Sequence, residues 1–391
     1  MSHPFPIGIF SMGALHAAGE SAADLQAALS GARACLSAFD DEHSTAVGRL
    51  HATAAKRLAL REHTDRHFRR LDRTAQLAIL AGEDALKALS DIGLAPAQRT
   101  ATLIASSRGP TLNWEREHSL YIDYTEQAER LSPFASPTTT PGHLSSAVQQ
   151  ALGLTGPAFS LSMTCSSGLW AVANAITWLH AGWVDAALAG GTEAALSGFT
   201  LAQMASLKVL NQQPDAPYPS TPFAAGGQNS MALGEGAALF WLAPLDDTDA
   251  KPLARIVGFG FGSEQIPNHA GITAEGGNLR TAMQMACGDV RPDLILAHAP
   301  GTIKGDAAEL AAIHECFGQQ MPAVYSNKWC IGHTFGAAGA LNLAQAVQVL
   351  ASGACPALPY LPEAQATQDV KRVLINAVGF GGVAASLLVE I

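Results

Sequence analysis

The chain has 391 residues, 48% hydrophobic and 14% charged, with 37 glycines and 21 prolines, a balance that excludes a small cross-linked fold, a disordered chain and a coiled coil and fits a densely packed, enzyme-like body. With 33 acidic against 23 basic residues the formal net charge is −10, which disfavours general binding to nucleic acid or to an anionic membrane. The six cysteines, Cys35, Cys165, Cys287, Cys316, Cys330 and Cys355, include no C-x-x-C pair, so neither a metal site nor a disulfide framework is predicted and a reducing cytoplasm is the expected compartment.

No Lys or Arg precedes Arg33, and Pro4 and Pro6 interrupt the first apolar stretch, so no secretory leader is expected. Between residues 56 and 73, seven basic side chains (Lys56, Arg57, Arg61, Arg66, Arg69, Arg70, Arg73) outnumber three acidic ones. Such a run is either a solvated helix face laced with ion pairs or a surface that steers an acidic partner. From Pro157, Phe159, Leu161 and Met163 alternate with Ser160, Ser162 and Thr164, the period of a half-buried strand that stops at Cys165. Leu169, Val172, Ala173, Ile176 and Leu179 then follow helical spacing up to Gly182, and a second strand is predicted over 185–189. This is a β-α-β unit, the element of parallel sheets covered by helices.

A polar acidic stretch over 244–249 marks the expected boundary, giving halves of residues 1–246 and 247–391. The second half repeats the arrangement: strand 294–296, helix 306–317, strand 323–326, helix 335–350, and two apolar runs about the glycine turn 379–382. Asn376, Ser386 and those glycines make the closing segment strand, turn and strand rather than a membrane span.

Three positions stand out for chemistry. Cys165, in S-M-T-C-S-S-G, lies where a strand ends and a helix begins, so the helix dipole is expected to favour its thiolate; the alternative is a small buried hydrophobe. His298, in L-A-H-A-P-G-T-I-K-G-D, and His333, in S-N-K-W-C-I-G-H-T-F-G, each follow a strand, the edge at which open α/β sheets place ligands. Lys328 precedes His333 by five residues and is either a snorkelling lysine or a buried orienting charge. The spacing of Asp306 and Glu309 has the form of a capping box.

With R-L-D-R-T-A-Q-L-A at 70–78, A-G-G-T-E at 189–193, L-G-E-G-A at 233–237 and G-F-G-G at 379–382, these motifs resemble a β-ketoacyl-[acyl carrier protein] synthase of the thiolase superfamily, of the stand-alone type II kind. The resemblance implies two similar halves in an α-β-α-β-α arrangement. It also implies decarboxylative condensation of an acyl thioester with malonyl-acyl carrier protein in fatty acid or specialised polyketide synthesis. The partners implied are an acyl carrier protein and a second copy or related subunit, with substrates carried on a phosphopantetheine arm and no separate cofactor or metal.

Carried over by position, the resemblance makes Cys165 the nucleophile, and His298 and His333 the pair facing the malonyl thioester. Lys328 and Glu309 become a supporting ion pair, and Phe380 the gate whose N–H completes an oxyanion hole with that of Cys165. Thr302, Gly381 and Arg108 are implied to contact substrate. On this reading Lys328→Met lowers both activity and stability, by leaving Glu309 unpaired. The charge contrast, rather than any family motif, assigns Lys56, Arg57, Arg61, Arg66 and Arg69 to docking an acidic carrier, with a solvated, ion-paired helix face as the alternative.

The sequence departs from the family pattern at three places. Ala299-Pro300 stands where the histidine loop usually carries Gly-Thr, removing one hydroxyl. The run after Pro222-Phe223 lacks the usual Asp and Arg, leaving the local scaffold around Glu235 undefined. Arg108 is an unusual neighbour for a saturated chain. The alternative function is a non-condensing, chain-length-factor-like partner subunit, against which the joint presence of Cys165, His298, Lys328 and His333 argues. A coenzyme A-dependent thiolase would need a second C-terminal cysteine, and none follows Cys355.

Overall fold

The computed structural model describes residues 6–40, 44–123, 131–224, 227–245, 250–266 and 271–391; the boundary expected between residues 246 and 247 lies outside them. Its strands are β1 (Ile7–Leu15), β2 (Ser37–Ala38), β3 (Ala46–Gly48), β4 (Thr100–Ala105), β5 (Ala158–Leu161), β6 (Ala186–Glu193), β7 (Leu233–Gly234), β8 (Gly236–Pro244), β9 (Ala254–Ser263), β10 (Leu294–Leu296), β11 (Ala323–Tyr325), β12 (Arg372–Gly379) and β13 (Val383–Glu390). Ten of them form one sheet in the order β11-β10-β12-β13-β9-β1-β8-β6-β4-β5.

That order is one five-stranded pattern used twice. From one edge, β5, β4 and β6 run parallel and are followed by antiparallel β8 and β1. From the other, β11, β10 and β12 run parallel and are followed by antiparallel β13 and β9. The two patterns meet in a short antiparallel seam, Ile7 to Ile9 against Ala254 to Ile256.

Strand alternation builds the layers, because successive side chains leave a strand on opposite faces. Leu103 and Ala105 of β4, with Ala238, Phe240 and Leu242 of β8, join a central core shared with the helices Ala22–Ser30, Ser167–His180 and Ala338–Ser352. Ile104, Leu239 and Trp241, one residue out of phase, face an outer core with the helices Ala52–Thr64, Arg73–Asp91 and His143–Ala151. In the second half, Val373, Ile375, Leu387 and Val389 enter the same central core. Leu374, Ala384 and Leu388 face the helices Gly277–Cys287 and Ile303–Phe317. The result is helix, sheet, helix, sheet, helix, as the resemblance implies. Among the described residues, no helix is long and apolar enough to cross a membrane.

Glu235, whose local scaffold the sequence leaves undefined, is held by a residue 162 positions away: Arg73 donates from Nε at 2.8 Å and Nη2 at 2.9 Å, and the N–H of Leu50 adds a third bond at 2.9 Å. Glu235 is only 4% exposed. Arg73→Met would strand that carboxylate in the interior and is expected to lower unfolding free energy by about 3–5 kcal/mol. Chemical denaturation measures it, and a loss below about 1 kcal/mol would mean that the pair is solvated.

Candidate active site

The chain leaves β5 at Leu161 and turns into the helix Ser167–His180 through Thr164, which takes a left-handed φ of 51°. A β-branched residue adopts that conformation only under constraint. The constraint is local: the Thr164 hydroxyl donates to Met163 O at 2.8 Å, and the N–H of Met163 donates to Ser167 Oγ at 2.9 Å. Across the turn, Gly379 packs so closely that a Cβ there would lie 1.7 Å from Thr164 Oγ1, so any other residue would push the 379–382 turn off the cysteine.

His298 and His333 arrive from the second half, one just beyond β10 and the other after the short helix Lys328–Ile331. Their ring centroids are 5.1 Å apart at 86°. The N–H of His333 donates to Ala232 O at 2.6 Å. The His298 end is held by Glu309, whose carboxylate accepts the N–H of His298 at 3.0 Å, the N–H of Ala299 at 2.8 Å and the Asn376 amide at 3.0 Å. Asn376 in turn accepts from the Ser386 hydroxyl at 2.8 Å.

Two expectations are corrected here. Glu309 is not part of a helix cap: the helix starts at Ile303, whose N–H is accepted by Asn229 Oδ1, while Asp306 reaches back to accept the N–H of Gly301 at 3.2 Å and of Thr302 at 3.1 Å in the entering loop. Nor do Lys328 and Glu309 form a contact ion pair. Glu309 spends its oxygens on three N–H donors, and the Lys328 ammonium points at Ala297 O, 3.5 Å away. The two charges act on each other across space.

Burial dominates the electrostatics. It holds Lys328 down to about 8 against the attraction of Glu309 and Asp306. Burial and the Lys328 charge hold His333 down to about 3, and the same two causes with His333 itself hold His298 well below 6.5. Both rings are therefore neutral at physiological pH, each with one N–H to donate. Cys165 does not meet the thiolate expectation. Burial and then Glu193 push its thiol up to about 12, and Lys328, Arg108 and its own backbone N–H only partly oppose them. A helix N-terminus is present, but desolvation outweighs it.

The cysteine and the two histidines share a cavity of about 630 Å³. Its walls include Cys165, His298, His333, Glu309, Thr302, Phe335, Phe380, Met204 and Met231. Among the described residues the Thr302 hydroxyl caps no backbone group, and Phe380 is 43% exposed on the turn, next to Gly381 at φ 89°. Among the described residues no protein oxygen accepts the N–H of Cys165 or of Phe380.

Some site residues were not singled out from the sequence. Lys304 and Asn229 line the cavity, with Asn229 Oδ1 accepting the N–H of Ile303 at 2.9 Å. Glu193 is fully buried and raised to about 7 by burial. It accepts from Ser106 Oγ at 2.7 Å and from the N–H groups of Ser107, Arg108 and Gly336 at 2.8, 3.2 and 2.9 Å. Its position at the end of an apolar strand was the available signal, since a carboxylate there needs several donors.

A family model described as Beta-ketoacyl synthase, N-terminal domain, matches residues 5–248, and one described as Beta-ketoacyl synthase, C-terminal domain, matches residues 253–361. The chain belongs to the β-ketoacyl synthase family. It is 28% identical over 354 residues to 3-oxoacyl-[acyl-carrier-protein] synthase 2 of Staphylococcus aureus (strain COL), covering 84% of each chain. A β-ketoacyl synthase from Burkholderia phymatum STM815 has a TM-score of 0.84 at 25% identity, over 99% of both chains. A type II PKS acyl-carrier protein in complex with its ketosynthase bound to the hexaketide has a TM-score of 0.86 at 17% identity, again over 99% of both. The chain is thus a condensing enzyme of the acyltransferase class, with the thiolase fold of the ketosynthases.

The synthase places its other expected residues unevenly. Arg108 reaches Gln203 Oε1 at 2.5 Å and lies 5.8 Å from the Phe335 ring centroid, with its Nε buried and, among the described residues, without a partner. The basic run is less free than its composition suggested. Arg57 pairs with Asp84 at 2.8 Å and Glu83 at 3.3 Å, and Arg61 pairs with Glu83 at 3.3 Å and Asp65 at 3.4 Å. These two arginines hold the synthase's own helices together, so their assignment to docking is withdrawn. Lys56, Arg66 and Arg69 are exposed and, among the described residues, unpaired. None of the five lines the cavity.

Proposed function

We propose that this synthase performs a decarboxylative Claisen condensation between an acyl group held on Cys165 and a malonyl thioester on an acyl carrier protein. The observation that carries the reading is that one cysteine and two neutral histidines line one cavity. The Cys165 sulfur attacks the acyl thioester, the carrier's thiol leaves with the cysteine's proton, and the N–H groups of Cys165 and Phe380 hold the tetrahedral oxyanion. A malonyl thioester then enters with its carbonyl oxygen between His298 and His333. As carbon dioxide leaves, the electron pair of the broken C–C bond passes into an enolate whose oxygen accepts from both rings. The enolate carbon attacks the acyl-cysteine carbonyl, the C–S bond breaks, and the β-ketoacyl carrier leaves while the Cys165 thiolate takes up a proton from solvent. Neutral rings suit this step because a neutral donor stabilises the enolate oxygen without protonating it. Mass spectrometry after incubation with an acyl carrier thioester tests the reading. One acyl group on Cys165 supports it, and an unmodified Cys165 removes the acyl-enzyme.

Thr302 and Lys304, on the cavity wall, suit the amide and phosphate groups of a phosphopantetheine arm. The buried, unpartnered Nε of Arg108 beside Phe335 favours an acyl chain bearing an acceptor oxygen over a purely saturated one. β5 is a sheet edge with Phe159 42% exposed, and the neighbouring Trp183 is 67% exposed. That face suits a second ketosynthase-like subunit, identical or related.

Carrier docking is assigned to Lys56, Arg66 and Arg69. The double variant Arg66→Glu/Arg69→Glu is expected to raise KM for carrier-bound substrate by about tenfold and to weaken its salt dependence, because exposed charges act mainly on encounter. Turnover of small pantetheine thioesters should change by less than about twofold. Equal losses on both substrates would place docking elsewhere.

A further inference from the structure

Two thiols outside the catalytic cavity lie side by side. Cys35 sits in the loop after the helix Ala22–Ser30, and Cys330 in the short helix Lys328–Ile331. The Cys330 thiol hydrogen bonds to the Cys35 sulfur at 4.0 Å and to Arg33 O at 3.2 Å, and the Cys35 thiol also faces Arg33 O at 3.7 Å. The backbones are tied directly, with the N–H of Cys35 donating to Cys330 O at 2.8 Å. Cys330 is fully buried, whereas Cys35 is partly exposed and lies between irregular residues. The sulfurs need to close only about 2 Å to reach bonding distance, and Cys35, in irregular chain, can supply that movement by side-chain rotation more readily than Cys330 in its buried helix.

We propose that Cys35 and Cys330 form a peroxide-oxidisable thiol pair that closes to an intramolecular disulfide. The Cys35 thiolate attacks one oxygen of hydrogen peroxide, the O–O bond breaks, and the departing hydroxide takes up a proton to become water. The Cys330 sulfur then attacks the resulting sulfenic acid, the S–O bond breaks, and the hydroxide leaves as a second water with the Cys330 proton. Two thiols lose two electrons in all and one peroxide gains them.

The order of events follows from the surroundings. Cys35 is lowered to about 7, first by the hydrogen bond from Cys330 and then by Arg33, against burial. The other cysteines are all pushed upward, Cys165, Cys287 and Cys355 to about 12 and Cys316 to about 11. Cys330 is raised as well, as the thiol that keeps its proton while Cys35 is ionised. A partly exposed thiolate with a buried thiol beside it is the arrangement of an attacking and a resolving cysteine.

The test is treatment of the intact protein with about one equivalent of hydrogen peroxide, followed by alkylation under denaturing conditions and peptide mapping. The expected result is a Cys35–Cys330 cross-linked peptide, about 2 Da lighter than its separate halves and released by dithiothreitol. In Cys330→Ser, Cys35 should stop at the sulfenic acid and be captured by dimedone. In Cys35→Ser, Cys330 should remain alkylatable. Oxidation of Cys35 to a sulfinic acid without a cross-link, or two thiols that stay titratable, would overturn the proposal.

Discussion

Cys165→Ala is expected to lower condensation by at least about a thousandfold, the order of loss that follows removal of a covalent nucleophile. The fold should survive, because a buried cysteine packs as a small hydrophobe and losing its sulfur costs about 1 kcal/mol. His298, His333 and Lys328 are untouched by the change, so malonyl-carrier decarboxylation should continue. The measurements are product formation from paired acyl and malonyl carriers, carbon dioxide release from the malonyl carrier alone, and a thermal melt. Condensation above about a tenth of the parent rate would exclude an obligatory acyl-cysteine.

Lys328→Met should separate activity from stability. A charged lysine in this setting is unfavourable: the fall of its pKa from 10.5 to about 8 corresponds to about 3 kcal/mol against folding at neutral pH. Below about 8 the lysine is charged in both states and the penalty is complete. Between about 8 and 10.5 the unfolded chain holds a proton that the folded chain has released, so stability recovers as pH rises through that window. Methionine removes the penalty, and Glu309 keeps its three N–H donors. Stability at pH 7 should therefore hold steady or rise by up to about 3 kcal/mol, opposite to what an unpaired Glu309 implies. Activity should fall by about a hundredfold, because the charge behind the two histidines is lost. The remaining decarboxylation should lose rate at higher pH than in the parent as acid is added, because Lys328 helps hold both rings neutral. A lower melting temperature with an unmoved pH profile would return Lys328 to a purely structural role.

The positions of the chemistry were readable from local pattern. Period-2 alternation ending at Cys165, helical spacing after it, and histidines just past short apolar strands all describe places in a fold, and the structure puts the three side chains together there. What pattern could not convey was which charges meet. Arg73 and Glu235 are 162 positions apart, and Glu193 reaches four donors in two other segments. Arg57 looked available to a partner only because Glu83 and Asp84 lie on a different helix. The thiolate expectation weighed a helix dipole without the depth at which Cys165 is buried, and depth decided the outcome. β5 itself is short, with Ala158 and Phe159 exposed rather than alternately buried, because it closes the sheet at one edge.

The short seam between β1 and β9 limits how the enzyme can breathe. Cysteine and histidines belong to opposite halves, yet those halves share one continuous sheet and a central helical layer that draws its helices from both. A hinge between them would tear backbone pairing and expose the largest apolar core, so heating should produce one cooperative transition rather than two. Substrate must then be admitted without domain opening. Among the described residues, the turn with Gly381 and Gly382 at positive φ carries the exposed Phe380 on the wall of the cavity that Cys165 lines, so a change in a few backbone torsions there would alter access to the cavity.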